Sequence, residues 1–491
     1  MSKNLVVCCD GTWNTPDQKD NGLPCPTNVV KIFNLCIENS AQTRYYHPGV
    51  GADGNLINKA LGGGIGLGLS RNIQSAYEWL CRHYSTGDRI FLFGFSRGAF
   101  TVRSLGGLIA HCGLLDLSKL STSDAWARIA HAYNDVYRTP EAPASWPKDY
   151  PLIAGPLPGG KVDIHMIGVW DTVGALGVPD DLVLIDQLFD DARKYRFHDT
   201  RLSAQVRHAR HAVAMDEMRA SFAPTLWDDT SPRPPDGSFK QVWFAGVHSD
   251  VGGGYPETGL SDGALKWMVD EAQAVGLNIN TAMSAQIRPD AQGVLHDSAV
   301  GLWKLLRTLP RATPPVDAAQ PSTALSAQVI QRHQMPPLSQ APYWPTQKLE
   351  VGQSVTLSVF ARPHWNATGV YLEAGATYDF VATGEWMDAD IKCTPDGPKK
   401  GGFQIGHIAQ TFGEMLGKLE NQYKDWTHKT GSDWWGTKRL ENADWLQLVG
   451  MVANQANADA SGTPTEGELI LLGSKAHHTP QDRRLPVCLC Q

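Results

Sequence analysis

At 491 residues the chain exceeds one ordinary domain, and its 42% hydrophobic and 19% charged composition supplies material for a globular core. A formal net charge of −7 argues against the basic surface that nonspecific polyanion binding needs, so no nucleic-acid partner is expected. Nine cysteines, an odd count with no CxxC pair and no His/Cys cluster at zinc-finger spacing, read as free thiols, and the pattern calls for no metal or cofactor.

The chain opens MSKNLVVCCDG, where five or six apolar residues run straight into a polar motif, too few for the apolar region of a secretory leader. No window approaches the ~18 uninterrupted apolar residues of a membrane span. The expectation is a cytoplasmic protein, with any export by a leaderless route. Strands are expected at Leu5–Cys9, Arg44–His47, Arg89–Phe95, Val162–Val169 and Gln241–Val247, and helices at Asn28–Glu38, Arg71–His83, Ala99–Cys112 and Ala264–Ala274. Short apolar runs alternating with helical patterns predict an α/β fold, a mostly parallel sheet with helices on both faces. The run IFLFGF is apolar throughout rather than alternating, as a strand covered on both sides should be. The glycine-rich stretch Leu61–Leu69 has no preceding strand and no GK[ST], so it reads as a mobile loop or linker rather than a phosphate cradle. The arginine-rich stretch holding His198, His208 and His211 reads as a solvated helix.

Residues 308–348 carry Pro310, Pro314, Pro315, Pro336, Pro337 and others, and read as an irregular connector that ends a first domain at about 345. Beyond it, residues 349–491 form a second expected domain, a small all-β, sandwich-like module. Its strand-like segments are VTLSVFAR, GVYLEAGATYDFVATGEW, DWLQLVGMV and GELILLG. A helical insertion is expected at about 403–430, because Ile405, Ile408, Phe412, Met415, Leu419, Tyr423 and Trp426 recur at helical spacing. That stripe, with Trp434, Trp435 and Trp445, would suit peripheral contact with a membrane surface or a cover over a site, though such helices more often pack on their own domain.

Chemistry concentrates at strand ends. RIFLFGF runs into Gly94-Phe95-Ser96-Arg97-Gly98 and then a helix, the G-x-S-x-G nucleophile elbow in its proper setting. The serine must take strained backbone angles there, and a Cβ on either flanking glycine would strike a neighbouring strand or helix. The plain alternative is a glycine-rich turn with an idle serine. A serine nucleophile needs a base, and the base an orienting acid, in the chain order Ser, Asp or Glu, His. Asp171 follows the strand VDIHMIGVW and His248 follows QVWFAGV, so both fall at the same edge of the sheet as Ser96. His165 lies inside a strand and suits a core role. Asp10 and Asp250 are rival acids; Asp250, two residues from His248, is better placed for a local backbone turn. For the oxyanion, the helix N-terminus offers the Arg97 amide, and Gly11 or Thr12 offers a second donor unless Asp10 merely caps that turn.

The motifs CDGTWN, TNVVKI, YYHPGVG, RNIQSAYEWL, GFSRGAF, GVWDTVGALG and GVHSDVGGGYPE occur in this order over residues 5–257. This set resembles the bacterial and fungal family of α/β hydrolases that includes the first class of type VI secretion lipase effectors, over about the first 340 residues. The resemblance implies a Ser–Asp–His triad on Ser96, Asp171 and His248, and phospholipase or esterase activity on lipid acyl esters. The C-terminal part is similar to a small galactose-binding bacterial lectin sandwich through GVYLEAGATYDFVATGEW, which implies sugar binding without assigning residues to it. The expected function is therefore a serine hydrolase of carboxylic esters. A carbohydrate- or partner-binding protein on a hydrolase-like scaffold is the alternative, and a nucleotide binder using Gly62–Gly68 a weaker third.

Overall fold

The computed structural model describes residues 2–11, 14–49, 64–138, 150–155, 162–174, 202–203, 205–227, 237–300, 308–317, 319, 322–338, 340, 343, 347–361, 363, 365–388, 391–398, 443, 446–452, 467–481 and 487–490. The chain divides into two compact units. The first takes Met1–Val300, Val316–Tyr343 and Ala456–Thr465, the second Gly301–Pro315, Trp344–Gln455 and Glu466–Gln491.

The first unit is built on a six-stranded sheet of β1 (Asn4–Cys9), β2 (Gln42–His47), β3 (Arg89–Phe95), β4 (Asp163–Trp170), β5 (Val206–Ala214) and β6 (Ser238–Phe244). The spatial order is β6-β5-β4-β3-β1-β2, and every neighbouring pair is parallel. Alternate side chains of each strand feed opposite cores. Leu5, Val7, Ile90 and Leu92 pack with helices α2 (Gly64–His83) and α3 (Arg97–Cys112). Val6, Cys8, Phe91 and Phe93 pack on the other side with α1 (Asn28–Leu35) and α6 (Gly259–Ala274), which follows the shorter helices α4 (Thr122–His131) and α5 (His248–Gly252). Continuous apolar strands are the sequence form of this double burial. The order reverses between β1 and β3, so their C-terminal ends frame the crevice where α/β sheets place their sites.

Three expectations are corrected. His208 and His211 lie on a central strand, not on a solvated helix: β5 pairs with β4 and β6 along its length. Its polar side chains are paired rather than hydrated, Arg210 with Glu271 at 2.6 Å and with Ser238 at 2.8 Å, His211 with Gln241 at 3.0 Å. From Gly64 onward the glycine-rich stretch is the start of α2, not a loop; Gly62 and Gly63 lie outside the described residues. The proline-rich segment is partly built into the first unit, where α7 (Ala327–Gln334) forms and Trp243 N–H donates to Ala324 O at 2.8 Å.

In the second unit, Asn366–Ala367, Val487–Cys490, Val449–Val452 and Glu468–Leu471 form a four-stranded antiparallel sheet, with smaller pairings elsewhere. Val370, Leu372, Leu448, Val452, Ile470 and Leu472 make its core. The expected strand VTLSVFAR is irregular over its described residues. The expected helix 403–430, Trp434, Trp435 and Trp445 lie outside the described residues. Among the described residues no helix is long and apolar enough to cross a membrane, and Cys8, Cys9, Cys25, Cys36, Cys81, Cys112 and Cys393 are buried and form no disulfide.

Gly168 in β4 faces α6: a Cβ there would sit 2.6 Å from Met268 Sδ and 2.8 Å from the Phe93 ring. Gly168→Ala is expected to destabilise the fold by about 1–3 kcal/mol through overpacking, read from urea denaturation midpoints.

Candidate active site

Ser96 stands between β3 and α3 with φ 56° and ψ −124°, a left-handed conformation that costs a non-glycine residue about 1–3 kcal/mol. The surroundings fix it. Ser96 N–H donates to Trp170 O at 3.1 Å, and its carbonyl accepts from Phe100 N–H at 3.2 Å. A Cβ on Gly94 would lie 2.4 Å from Gly98 O, and one on Gly98 would lie 2.1 Å from Cys9 O. Both obstacles are backbone, so neither glycine tolerates a side chain, and the turn is held tight between β1 and α3. The Ser96 hydroxyl is not spent on capping the helix.

Asp171 and His248 meet. Their Oδ2 and Nδ1 atoms are 2.5 Å apart, with the carboxylate fully buried and the histidine 4% exposed. The carboxylate accepts, so Nδ1 carries the proton and Nε2 keeps its lone pair. Asp171 also has a left-handed φ of 38°. It is held by its own N–H donating to Ala212 O at 2.8 Å and by Ala214 N–H donating to Oδ1 at 2.9 Å. Thr172 N–H donates to His211 Nε2 at 3.2 Å, which fixes the next peptide. The imidazole of His248 packs against the ring of Phe95, the residue before Ser96, with centroids 4.5 Å apart, and against Phe222 at 5.0 Å. Burial depresses the His248 pKa below the usual imidazole value, partly opposed by the hydrogen bond and charge of Asp171.

The rival acids are engaged elsewhere. Asp10 Oδ2 accepts from Thr27 Oγ1 at 2.7 Å and Tyr46 OH at 2.9 Å. Burial pushes its carboxyl up to about 6 against those hydrogen bonds. Asp250 Oδ2 accepts from Val247 N–H at 3.1 Å, the local backbone turn expected of it, and Oδ1 contacts His296 Nδ1 at 2.6 Å. Gly11 lies beside Ser96, where a Cβ would come within 3.1 Å of Ser96 Cβ. Its N–H, however, donates to Asp10 Oδ1 at 2.7 Å, so this amide is turned to its own neighbour. Thr12 lies outside the described residues. Arg97 opens α3; its buried guanidinium is lowered to about 10 by desolvation and by the nearby charge of Arg219. His165, on β4, donates through Nε2 to Val275 O at 2.9 Å in a structural role, and His198 lies outside the described residues.

Sequence reasoning missed Glu217, Arg219 and Phe222. Glu217 Oε2 accepts the His248 backbone N–H at 3.2 Å, and the Arg219 guanidinium lies 3.6 Å over the Phe222 ring. The available signal was AVAMDEMR, a small-residue run ending in charge, which marks the C-terminal end of β5 once that strand is recognised.

Comparison with known proteins gives relatives of uneven reach. An uncharacterized protein of Saccharomyces cerevisiae is 32% identical over 247 residues, 45% of this chain and 32% of the relative. The solved structure of an uncharacterized protein from Pseudomonas aeruginosa is 19% identical, covering 59% of this chain and 49% of that one with a TM-score of 0.35. The Tle1 effector bound to the VgrG spike of the type 6 secretion system is 18% identical, covering 52% and 51% with a TM-score of 0.28. The chain thus spans about a third of the length of the curated relative and about half of each solved one. The family model described as "T6SS, Phospholipase effector Tle1-like, catalytic domain" matches residues 3–271, more than half of the chain, and the chain belongs to that family.

Proposed function

We propose that the protein is a serine hydrolase that cleaves carboxylic esters of lipids, phospholipid acyl esters foremost, through Ser96, His248 and Asp171. The observation that carries this reading is the buried 2.5 Å contact between Asp171 and His248, with the imidazole packed on the residue preceding a strained elbow serine. All three residues fall within the matched span 3–271, and the family's description as a phospholipase effector domain supports a lipid ester as substrate.

In the proposed cycle, His248 Nε2 removes the Ser96 hydroxyl proton as Oγ attacks the ester carbonyl. The negative oxygen that develops faces the N-terminus of α3, where the Arg97 amide and the helix dipole stabilise it. Collapse expels the alcohol, which takes the proton back from His248, and leaves Ser96 acylated. Water then attacks the acyl-enzyme, giving its proton to His248, and the acid departs as Ser96 regains its hydrogen. Asp171 keeps the imidazole in the tautomer and orientation that both halves need.

Three outcomes check the reading. Ser96→Ala is expected to abolish turnover of a short-chain ester and of phospholipid vesicles, and to remove labelling by a fluorophosphonate; wild-type turnover in this variant would sink the proposal. Asp171→Asn should lower kcat by about 10⁴-fold while the protein stays folded. Because the base works only when neutral and burial lowers its pKa, the acidic limb of kcat/KM should lie below 6.5, activity falling as pH drops through the folded-state value. The linked stability has the same sign: present above the unfolded-state pKa, it is lost as pH falls through the depressed folded one. A limb centred above 6.5 would contradict this assignment of the base.

A further inference from the structure

We propose that Glu217 and Arg219 form a positioning pair of opposite charges that fixes the imidazole of His248. This inference rests on the reading of His248 as the base. Both residues lie in the loop that follows β5, and the Glu217 side chain is wholly buried while that of Arg219 is 11% exposed. A carboxylate so buried needs donors, and Glu217 takes several. Arg219 supplies its backbone N–H at 2.8 Å, Nε at 3.0 Å and Nη2 at 2.8 Å, and Ser298 Oγ donates at 2.8 Å. One further donor is the His248 backbone N–H, at 3.2 Å.

A buried ion pair is no better for stability than well-packed apolar residues, so its retention calls for another reason. Here each partner reaches His248 by its own route. Glu217 grips the backbone from which the imidazole springs. Arg219 lies 3.6 Å over Phe222, and the Phe222 ring stands edge-on to the imidazole at 5.0 Å and 76°. Backbone and ring are thus both referred to one rigid fork of two parallel hydrogen bonds.

The electrostatic roles are opposite. The negative Glu217 favours the imidazolium, whereas the positive Arg219 disfavours it. The other charged groups around His248 are Asp171 from the β4 loop, Arg97 at the start of α3 and Asp250 on its own helix. Asp171 stays constant in this comparison, Arg97 feels Arg219, and Asp250 is held by Val247 and His296. Loss of either member of the pair therefore exposes His248 to the uncompensated charge of the other.

The test compares Glu217→Gln, Arg219→Gln and the double variant, each also in the Ser96→Ala background for NMR titration of His248. Glu217→Gln should move the His248 titration and the acidic limb of kcat down by ~0.5–1 pH unit, and Arg219→Gln should move both up by a similar amount. In Arg219→Gln the Glu217 carboxylate still accepts from Ser298, the His248 N–H and the backbone of residue 219. The double variant should return the titration to the wild-type position. In Glu217→Gln kcat should fall about tenfold with KM within about twofold, the split expected of a group acting only on the chemical step. A merely structural pair would give shifts of the same sign, or a lowered Tm with none, and either result overturns the proposal. If Glu217→Gln does not fold, the upward shift in Arg219→Gln decides alone. NMR titration needs no turnover, so it judges the pair even if Ser96→Ala leaves hydrolysis intact and the serine-hydrolase reading falls.

Discussion

The buried contact between Asp171 and His248 sets terms that the rest of the sheet must meet. An ionised carboxylate removed from water costs several kcal/mol unless its oxygens are met by donors. Asp171 is met by Ala214 N–H on one oxygen and by the imidazole on the other. Those donors come from different places: Ala214 ends β5, and His248 opens the helix that follows β6. The acid of β4 is therefore satisfied only when β4, β5 and β6 stand in one register, with Trp170 beside Ala212 and Ala214 beside Phe244. A slip of one residue would turn every side chain of β5 to the other face and withdraw the donor.

The same dependence explains how two strained residues persist. Ser96 and Asp171 both hold left-handed backbone angles that an ordinary loop would relax. Each is over-determined by bonds to the neighbouring strand end, Ser96 to Trp170 O and Asp171 to Ala212 O. The strain thus belongs to a chain of strand termini, β3 to β4 to β5, in which each terminus fixes the next. Loosening any one would let both Ser96 and Asp171 drift.

Much of this was legible in the sequence wherever burial is apolar. The runs LVVCC and IFLFGF announce two-sided burial, and GFSRG between strand and helix announces a tight turn, because only glycine allows the approach of Gly98 to Cys9 O. The strand VRHARHAVA was not legible, since its two arginines and two histidines look like a solvated surface. Arg210 and His211 are buried because Glu271, Ser238 and Gln241 come from distant segments to pair with them. Tertiary partners of that kind leave no local pattern. Missing this strand hid its C-terminal loop, and with it Glu217, Arg219 and Phe222. The glycine-rich stretch misled for the opposite reason: local composition favours a loop, but it opens a helix whose later residues Leu69, Ile73, Ala76 and Tyr77 are anchored in the core.

The end of β1 shows how a residue type can be read correctly for place and differently for task. Gly11 does lie against Ser96, but its amide serves Asp10. Asp10 in turn gathers Thr27 at the start of α1 and Tyr46 on β2. Its carboxyl, pushed up to about 6 even with those donors in place, loses stabilising influence as pH rises through that value, so ionisation there opposes folding. Asp10 thus ties the exit of β1 to α1 and β2, with Gly11 lying against Ser96. The contribution of β1 is then shape: it walls one side of Ser96, the residue from which α3 starts. That division, a rigid wall on one strand and a helix dipole on the next, follows directly from the reversal of strand order between β1 and β3.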